Sequence, residues 1–299
     1  MTLQRCLQFQ EKNGAIYNSH RSKKQKLSVV RSAKENYQER IKVMRIEWKN
    51  AIKFAVCMIP IAAIGGWFTG SYTYASYSSE MQQLIMEQIG SVTTLCLVTA
   101  LQSAIYTVIC AMIGYRIAES IGLVHSLHIE KSRLLPTFAM TLGCGVFFAL
   151  DYWISGRWLP EVAKIYESGL LTKRLDNWIS SVLYGGIVEE LMLRLFVMSL
   201  LSFVLWKLFF RKCSNKQIPA GVFIVANIIS AMLFSAGHLP ATVSMFGELS
   251  PLVVVRCFVL NGGLGLMFGR IYRKYGIQYA MIGHAGAHII SKIIWLLLL

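Results

Sequence analysis

The stretch from Trp178 to Phe210 reads WISSVLYGGIVEELMLRLFVMSLLSFVLWKLFF, and it decides the class of the fold. About 20 apolar residues are enough for one helix to cross the hydrocarbon core of a bilayer. This stretch is longer than that, and it holds Glu189, Glu190 and Arg194. Ionisable groups at membrane depth cost at least ~2.5 kcal/mol each on insertion scales. The sequence therefore predicts a membrane-spanning helix that carries a functional site.

The rest of the chain repeats this apolar pattern. Its 299 residues are 55% hydrophobic and 15% charged, whereas soluble domains usually have about 25% charged residues. We therefore expect an all-α fold, a polytopic transmembrane helical bundle with about seven to eight spans. Besides residues 178–210, spans are predicted at about residues 51–68, 91–115, 134–154, 218–238, 251–272 and 277–299.

The N-terminal region is basic and differs from the rest. Residues 1–50 hold twelve Lys and Arg against four Glu. Residues 1–28 are predicted to form a polar, flexible tail, and residues 30–48 an amphipathic helix with one apolar face. We expect this helix to lie on the membrane surface, or alternatively to pack on the protein's own cytosolic loops. The predicted domains are 1–50, tail and amphipathic helix, and 51–299, the transmembrane domain, with its functional core at about 178–299.

Charged residues in the loops predict the orientation in the membrane. The loop at 116–133 contains basic residues, as do those after the fourth and sixth spans, whereas 69–90 and 239–250 contain no Lys or Arg. Cytoplasmic loops carry the excess of basic residues. We therefore expect a multi-pass cell-membrane protein with a cytoplasmic N-terminus. Membrane lipids are expected partners of the basic tail, and no nucleic acid is expected, because a topology signal explains the charge.

Glu190 and Arg194 are four residues apart and share one helical face, with the glutamate on the favourable N-terminal side. Glu189 is turned by about 100° from Glu190. The arginine can thus neutralise one glutamate and leave the other for chemistry. A purely structural ion pair would explain Glu190 and Arg194, but it would leave Glu189 without a purpose.

Three histidines follow in later spans. His238 shares a face with Phe234, and Pro240 stops the helix just after it. His284 and His288 are four residues apart with small residues between them. HxxxH is a metal-ligand spacing on a helix, although it is a weak motif by itself.

The motifs EExxxR, FxxxH and HxxxH, in this order, resemble the CPBP family of intramembrane proteases. This family includes CAAX prenyl endopeptidases and bacterial proteins linked to bacteriocin maturation and self-immunity. The resemblance covers roughly residues 180–290 and gives no support to the first 130 residues.

The resemblance implies a role for each motif residue. Glu189 matches the catalytic glutamate and Glu190 its neighbour, while Arg194 matches the arginine that positions both. His238 matches the histidine that shares a water with the glutamate, and His284 the histidine of the last motif. His288 stands where the family often has asparagine, so its role is open. An amide would donate to an oxyanion, whereas a histidine can also bind metal or carry protons.

Two kinds of peptide hydrolysis are compatible with these residues. In one, Glu189 acts as general base on a water shared with His238, and His284, with or without His288, donates to the oxyanion. In the other, Glu189 and the three histidines ligate a divalent metal such as zinc, which activates the water. The sequence does not choose between them.

The leading hypothesis is an intramembrane endopeptidase that acts on a peptide or protein substrate at the membrane. The first alternative is a non-catalytic membrane regulator or bacteriocin-immunity protein on the same fold. The second alternative is a proton-coupled transporter, because Glu, His and Arg in a bundle also suit proton relay. The absence of an internal repeat argues against a transporter.

Straight helices would place His238 near a span end and His284 near the opposite surface. The site therefore requires tilted or broken helices, and residues 261–265, Asn-Gly-Gly-Leu-Gly, are a candidate place. We further expect Asp151 to be an interfacial anchor and Lys292 to extend to the membrane surface.

Overall fold

Seven helices of the computed structural model are long and apolar enough to cross a membrane, which confirms the polytopic all-α fold. The structure describes the backbone of residues 19–124, 127–210 and 218–299, and their side chains from residue 48 onward. No β-strand occurs in these ranges. The spans are Trp48–Ser76, Val92–Ser120, Lys131–Ser155, Leu175–Phe210, Ala220–Phe246, Pro251–Tyr275 and Ile277–Leu298.

The first helix, α1, runs from Ser19 to Ser76 as one element. It covers both the predicted amphipathic segment, residues 30–48, and the predicted first span. From Ser19 onward the chain is helical where a flexible tail was predicted, and the Lys and Arg residues of this part favour helix. The predicted membrane-surface location depends on side chains before Trp48, which lie outside the described residues. The chain divides into two units, Met1–Lys49 and Asn50–Leu299.

The described residues of the transmembrane unit form the second part of α1 and ten further helices. In chain order these are α2 (Ser79–Ile89), α3 (Val92–Ser120), α4 (Lys131–Ala149), α5 (Asp151–Ser155), α6 (Pro160–Glu167), α7 (Leu175–Phe210), α8 (Ala220–Gly237), α9 (Leu239–Phe246), α10 (Pro251–Tyr275) and α11 (Ile277–Leu298).

The last helix, α11, packs between α4 and the first half of α7. It begins directly after Gly276, whose φ of 114° is a backbone conformation that favours glycine. Small residues bring α4 close, since a Cβ at Gly145 would lie 2.6 Å from the Ile290 side chain. Trp295 Nε1 also donates to the carbonyl of Ala149 at 2.9 Å. These contacts fix the rotation of α11.

Helix α1 is held against the start of α7 by polar contacts between small side chains. The hydroxyls of Thr69 and Ser180 lie 2.7 Å apart, and Ser71 Oγ donates to Asp176 at 2.8 Å. A Cβ at Gly65 would lie only 2.9 Å from the α7 backbone. Close approach through small residues is typical of helix packing in membranes.

Two of the spans contain π-helical segments. Helix α7 contains π-helical segments at Ser181–Glu189, Leu191–Met198 and Trp206–Phe210. Helix α10 contains one at Phe258–Gly262, which overlaps the segment 261–265 predicted to be irregular. π-helical turns are rare and frequently mark functional sites. They also change which side chains share a helical face, so regular α-helical spacing does not fix the site.

Asp151 is not the interfacial anchor that the sequence predicted. It is 3% exposed, and its carboxylate accepts hydrogen bonds from the Arg256 guanidinium on α10 and from the Tyr166 hydroxyl on α6 at 2.6 Å. Burial and the neighbouring carboxylate raise the pKa of Tyr166 well above its usual value, so the hydroxyl stays a donor. Arg256 was not identified as its partner, because the two residues are far apart in the sequence.

Loss of this ion pair should destabilise the protein. Asp151→Ala leaves the mostly buried Arg256 without its carboxylate, and we expect the free energy of unfolding to fall by about 3–5 kcal/mol. Denaturant unfolding in detergent measures this. The double variant Asp151→Ala/Arg256→Met should be more stable than Asp151→Ala alone, because it removes the unpaired charge. If the losses in free energy of unfolding caused by Asp151→Ala and Arg256→Met simply added up in the double variant, this result would contradict the pairing.

Candidate active site

The structure brings all six candidate residues together where α7, α8, α10 and α11 meet. Glu189, Glu190 and Arg194 come from α7, His238 from the junction of α8 and α9, and His284 and His288 from α11. Helix α10 contributes the backbone carbonyl of Gly265 and the ring of Phe268. The expected convergence is therefore observed, and the contacts divide the residues into a buried cluster and a more exposed pair.

Arg194 is the centre of the buried cluster. Its side chain is 2% exposed and that of Glu190 is 0% exposed, with Arg194 Nη1 3.2 Å from Glu190 Oε1. Arg194 Nη2 donates to the carbonyl of Gly265 on α10 at 3.2 Å. The guanidinium also lies 4.7 Å from the ring centroid of Phe234 and 5.8 Å from that of Phe268. The ion pair predicted from the spacing is thus present, and cation–π contacts add to it.

His284 joins this buried cluster through Glu190. Its Nδ1 lies 2.9 Å from Glu190 Oε1. Its ring stacks on Phe268 at 4.4 Å and meets the edge of Phe234 at 6.1 Å between centroids. One ring nitrogen is therefore engaged, and only Nε2 remains for a substrate or a water.

Glu189 and His238 form the exposed pair. Glu189 Oε1 lies 3.9 Å from His238 Nε2, and the side chains are 18% and 32% exposed. His238 Nδ1 lies 2.9 Å from the carbonyl oxygen of Phe234. A carbonyl can only accept, so Nδ1 is the donor in this contact, and the neutral form of the ring presents the lone pair of Nε2 towards Glu189.

His288 extends the site along α11. Its ring stacks on His284 at 5.0 Å and meets the edge of Phe148 at 5.5 Å. A Cβ at Gly185 would lie 3.1 Å from His288 Nε2 and 4.0 Å from Glu189 Oε2. His288 Nε2 and the Glu189 carboxylate thus approach the same small volume beside the α7 backbone.

Lys292 continues this polar face, contrary to the prediction that it extends to the membrane surface. It is 2% exposed. Its Nζ donates to the carbonyl of Leu171 at 3.1 Å and contacts Asn177 Oδ1. The available signal was its position four residues after His288, the same interval that separates His284 from His288. No comparable pattern indicated that Gly265 and Phe268 of α10 contact Arg194.

A metal site would require three or more ligating groups around one point. Within the described ranges, no group of three His, Cys, Asp or Glu side chains has such an arrangement. His238 Nδ1 faces a carbonyl and His284 Nδ1 faces Glu190, which leaves Nε2 of each ring as the nitrogen that could reach a metal. The predicted set of Glu189, His238, His284 and His288 is close together but is not arranged as a ligand set.

Residues 173–290 match the model of a family described as type II CAAX prenyl endopeptidase Rce1-like. The match includes all six candidate residues and confirms the resemblance to CPBP proteases over this segment. The matched family is a protease family, so the comparison supports a membrane endopeptidase in general. No curated protein and no solved structure matches the chain significantly.

The contact between α7 and α11 should depend on Gly186. A Cβ there would lie 2.6 Å from the Ala285 Cβ and 2.8 Å from its Cα. Gly186→Ala should therefore lower the free energy of unfolding by about 1–3 kcal/mol through overpacking. Thermal unfolding in detergent measures this.

Gly143→Ala on α4 is the matched control, because nothing lies within 4 Å of a Cβ at Gly143. Replacing a helical glycine by alanine should raise stability there by roughly 0.5–1 kcal/mol. Equal effects of the two substitutions would contradict the close contact at Gly186.

Proposed function

We propose that this chain is an intramembrane endopeptidase in which Glu189 and His238 activate the attacking water. The observation that carries the proposal is a contrast within the site. Glu190 and Arg194 are sealed from solvent at 0% and 2% side-chain exposure. Glu189 and His238 face each other with 18% and 32% exposure. The second pair reaches the surface of the helix bundle, where a water and a substrate can approach it, while the first pair connects the helices that carry it.

The water is activated by two acceptors. Glu189 Oε1 and His238 Nε2 are 3.9 Å apart, so one water about 2.8 Å from each can donate a hydrogen to both. Its lone pair is then free to attack a peptide carbonyl. Proton transfer to a positioned base typically contributes a factor of about 10²–10⁴. The carboxylate or the imidazole can later return that proton to the leaving amine.

The oxyanion contact depends on where a proton lies between Glu190 and His284. If Glu190 is ionised, His284 Nδ1 donates to it, and Nε2 of the neutral ring can only accept. If Glu190 carries the proton and donates to Nδ1, then Nε2–H becomes a donor. In that second arrangement His284 can stabilise an oxyanion. His288, whose Nε2 lies beside Gly185, is the second donor that we propose.

The substrate is a peptide or protein held at the membrane, because every proposed catalytic group lies in a span. The family description supports a prenylated peptide with a CAAX C-terminus as the first substrate to test. A membrane-tethered bacteriocin precursor is the second. The basic N-terminal region supports a cytoplasmic N-terminus.

Glu189 and His238 should behave as one catalytic unit. Glu189→Gln and His238→Ala should each lower the rate of peptide release by about 10²–10⁴. The double variant should lose little more than either single variant, because both residues act on the same water. The assay is release of the C-terminal fragment from prenylated and unprenylated peptides by purified protein in liposomes.

Glu161→Gln is the control, because Glu161 is an exposed carboxylate on α6 outside the spans. It should cleave at the wild-type rate. Undiminished cleavage by Glu189→Gln in correctly inserted protein would exclude the proposed mechanism. If the two rate reductions multiplied in the Glu189→Gln/His238→Ala variant, the two residues would not share a water.

Removal of divalent metal should leave most of the activity intact, because the described side chains do not form a ligand set. Dialysis against a chelator, followed by metal analysis and a cleavage assay, tests this. Loss of activity that zinc restores, together with stoichiometric zinc that disappears in His284→Ala, would instead establish the metal-dependent alternative.

A further inference from the structure

A groove on the opposite side of α10 from the Arg194 cluster is not used by the proposed chemistry. It has a volume of about 790 Å³ and lies between α8, α10 and the second half of α7. We infer that this groove binds an anionic phospholipid, with an acyl chain along its apolar wall and the phosphate at Arg270, Arg273 and Lys274.

The apolar wall comes from facing sides of two helices. On α10, Leu266 and Met267 follow Gly263 at intervals of three and four, so they share a face. On α8, Ile224 and Ile228 are four residues apart and line the other side. These four large side chains are all exposed outside the core of the bundle. Exposed apolar side chains within membrane-spanning helices can pack against a lipid acyl chain.

One end of the same groove is cationic. Arg270, Arg273 and Lys274 occupy the last turns of the α10 face that begins at Gly263. The Arg273 guanidinium lies 5.0 Å from the ring centroid of Phe223, which orients it at the groove. Among the described residues, these three cations form no ion pair with a carboxylate, while Arg116, Arg133, Arg174, Arg194 and Arg256 each do. Guanidinium groups bind phosphate oxygens in a bidentate manner.

The length of the groove fits one leaflet. From Gly263 to Lys274 a helix rises by about 16 Å, which is close to half of the ~30 Å hydrocarbon core. The cations then lie at the level of the headgroups, and Gly263 lies near the middle of the bilayer. Basic pockets between spanning helices on the cytoplasmic side are known to hold anionic headgroups.

An anionic phospholipid satisfies both halves of the groove. A soluble phosphate would leave the apolar wall empty, and a neutral chain would leave three cations without a counter-charge. A zwitterionic lipid would bring its own cation next to them. The inferred lipid site contains none of the six active-site residues, so it is independent of the proposed proteolysis.

The experiment is lipid binding to the full-length protein, measured by native mass spectrometry and by the thermal shift in detergent. The probes are phosphatidylglycerol and phosphatidylcholine. We expect phosphatidylglycerol to bind with about one-to-one stoichiometry and to raise the melting temperature. Each charge-assisted hydrogen bond removed should weaken binding about tenfold, so the triple variant Arg270→Gln/Arg273→Gln/Lys274→Gln should lose the retained lipid.

Two further variants separate the groove from general surface charge. Met267→Trp fills the apolar wall and keeps all three cations, and it should also lose the lipid. The triple variant Arg157→Gln/Lys164→Gln/Lys173→Gln removes three exposed cations outside the spans, and it should bind as the wild type does. Glu189→Gln should likewise bind normally, whether or not cleavage is lost.

Equal retention of phosphatidylcholine and phosphatidylglycerol would overturn the inference, because the cations would then have no role. Equal loss in both triple variants would attribute binding to net charge alone. Undiminished binding in Met267→Trp would show that no acyl chain occupies the groove. If the Arg270, Arg273 and Lys274 triple variant does not fold, the single variants and Met267→Trp decide the outcome.

Discussion

The burial of the Arg194 guanidinium is the constraint on which the rest of the structure depends. A charge in an apolar interior is tolerated only when it is paired and hydrogen-bonded. Here the pairing requires Glu190 from α7, the Gly265 carbonyl and Phe268 from α10, and Phe234 from α8. His284 of α11 then binds the same glutamate. A single buried cation thus connects four helices, either directly or through Glu190.

This arrangement explains how two adjacent glutamates acquire different environments. Glu190 points into the cluster and is sealed, whereas Glu189 points towards His238 and stays partly exposed. The π-helical segments of α7 meet at this point, one ending at Glu189 and the next beginning at Leu191. Consecutive helical residues point about 100° apart, so the two carboxylates reach different neighbours. The buried glutamate supports the site, and the exposed one is available for chemistry.

Charged groups lie at three levels of the bundle and have different environments. At one end, Asp151 and Arg256 connect α5 with α10 through a buried ion pair. In the middle, the Arg194 cluster joins α7 to its neighbours. At the other end, Arg270 and the cations after it have no such partner among the described residues and face a groove suited to lipid. Helix α10 takes part at every level, through Arg256, the Gly265 carbonyl and Arg270.

The sequence by itself determined the seven spans, because apolar runs of membrane length have few alternative structures. It also determined the Glu190–Arg194 pair, because a spacing of four residues is local to one helix. Only the tertiary structure decided that His284 binds Glu190, that Lys292 is buried beside Asn177, and that Asp151 pairs with Arg256. Each of these contacts joins residues distant in the chain. Helix packing and π-helical turns set such contacts, and neither follows from the periodicity of a single segment.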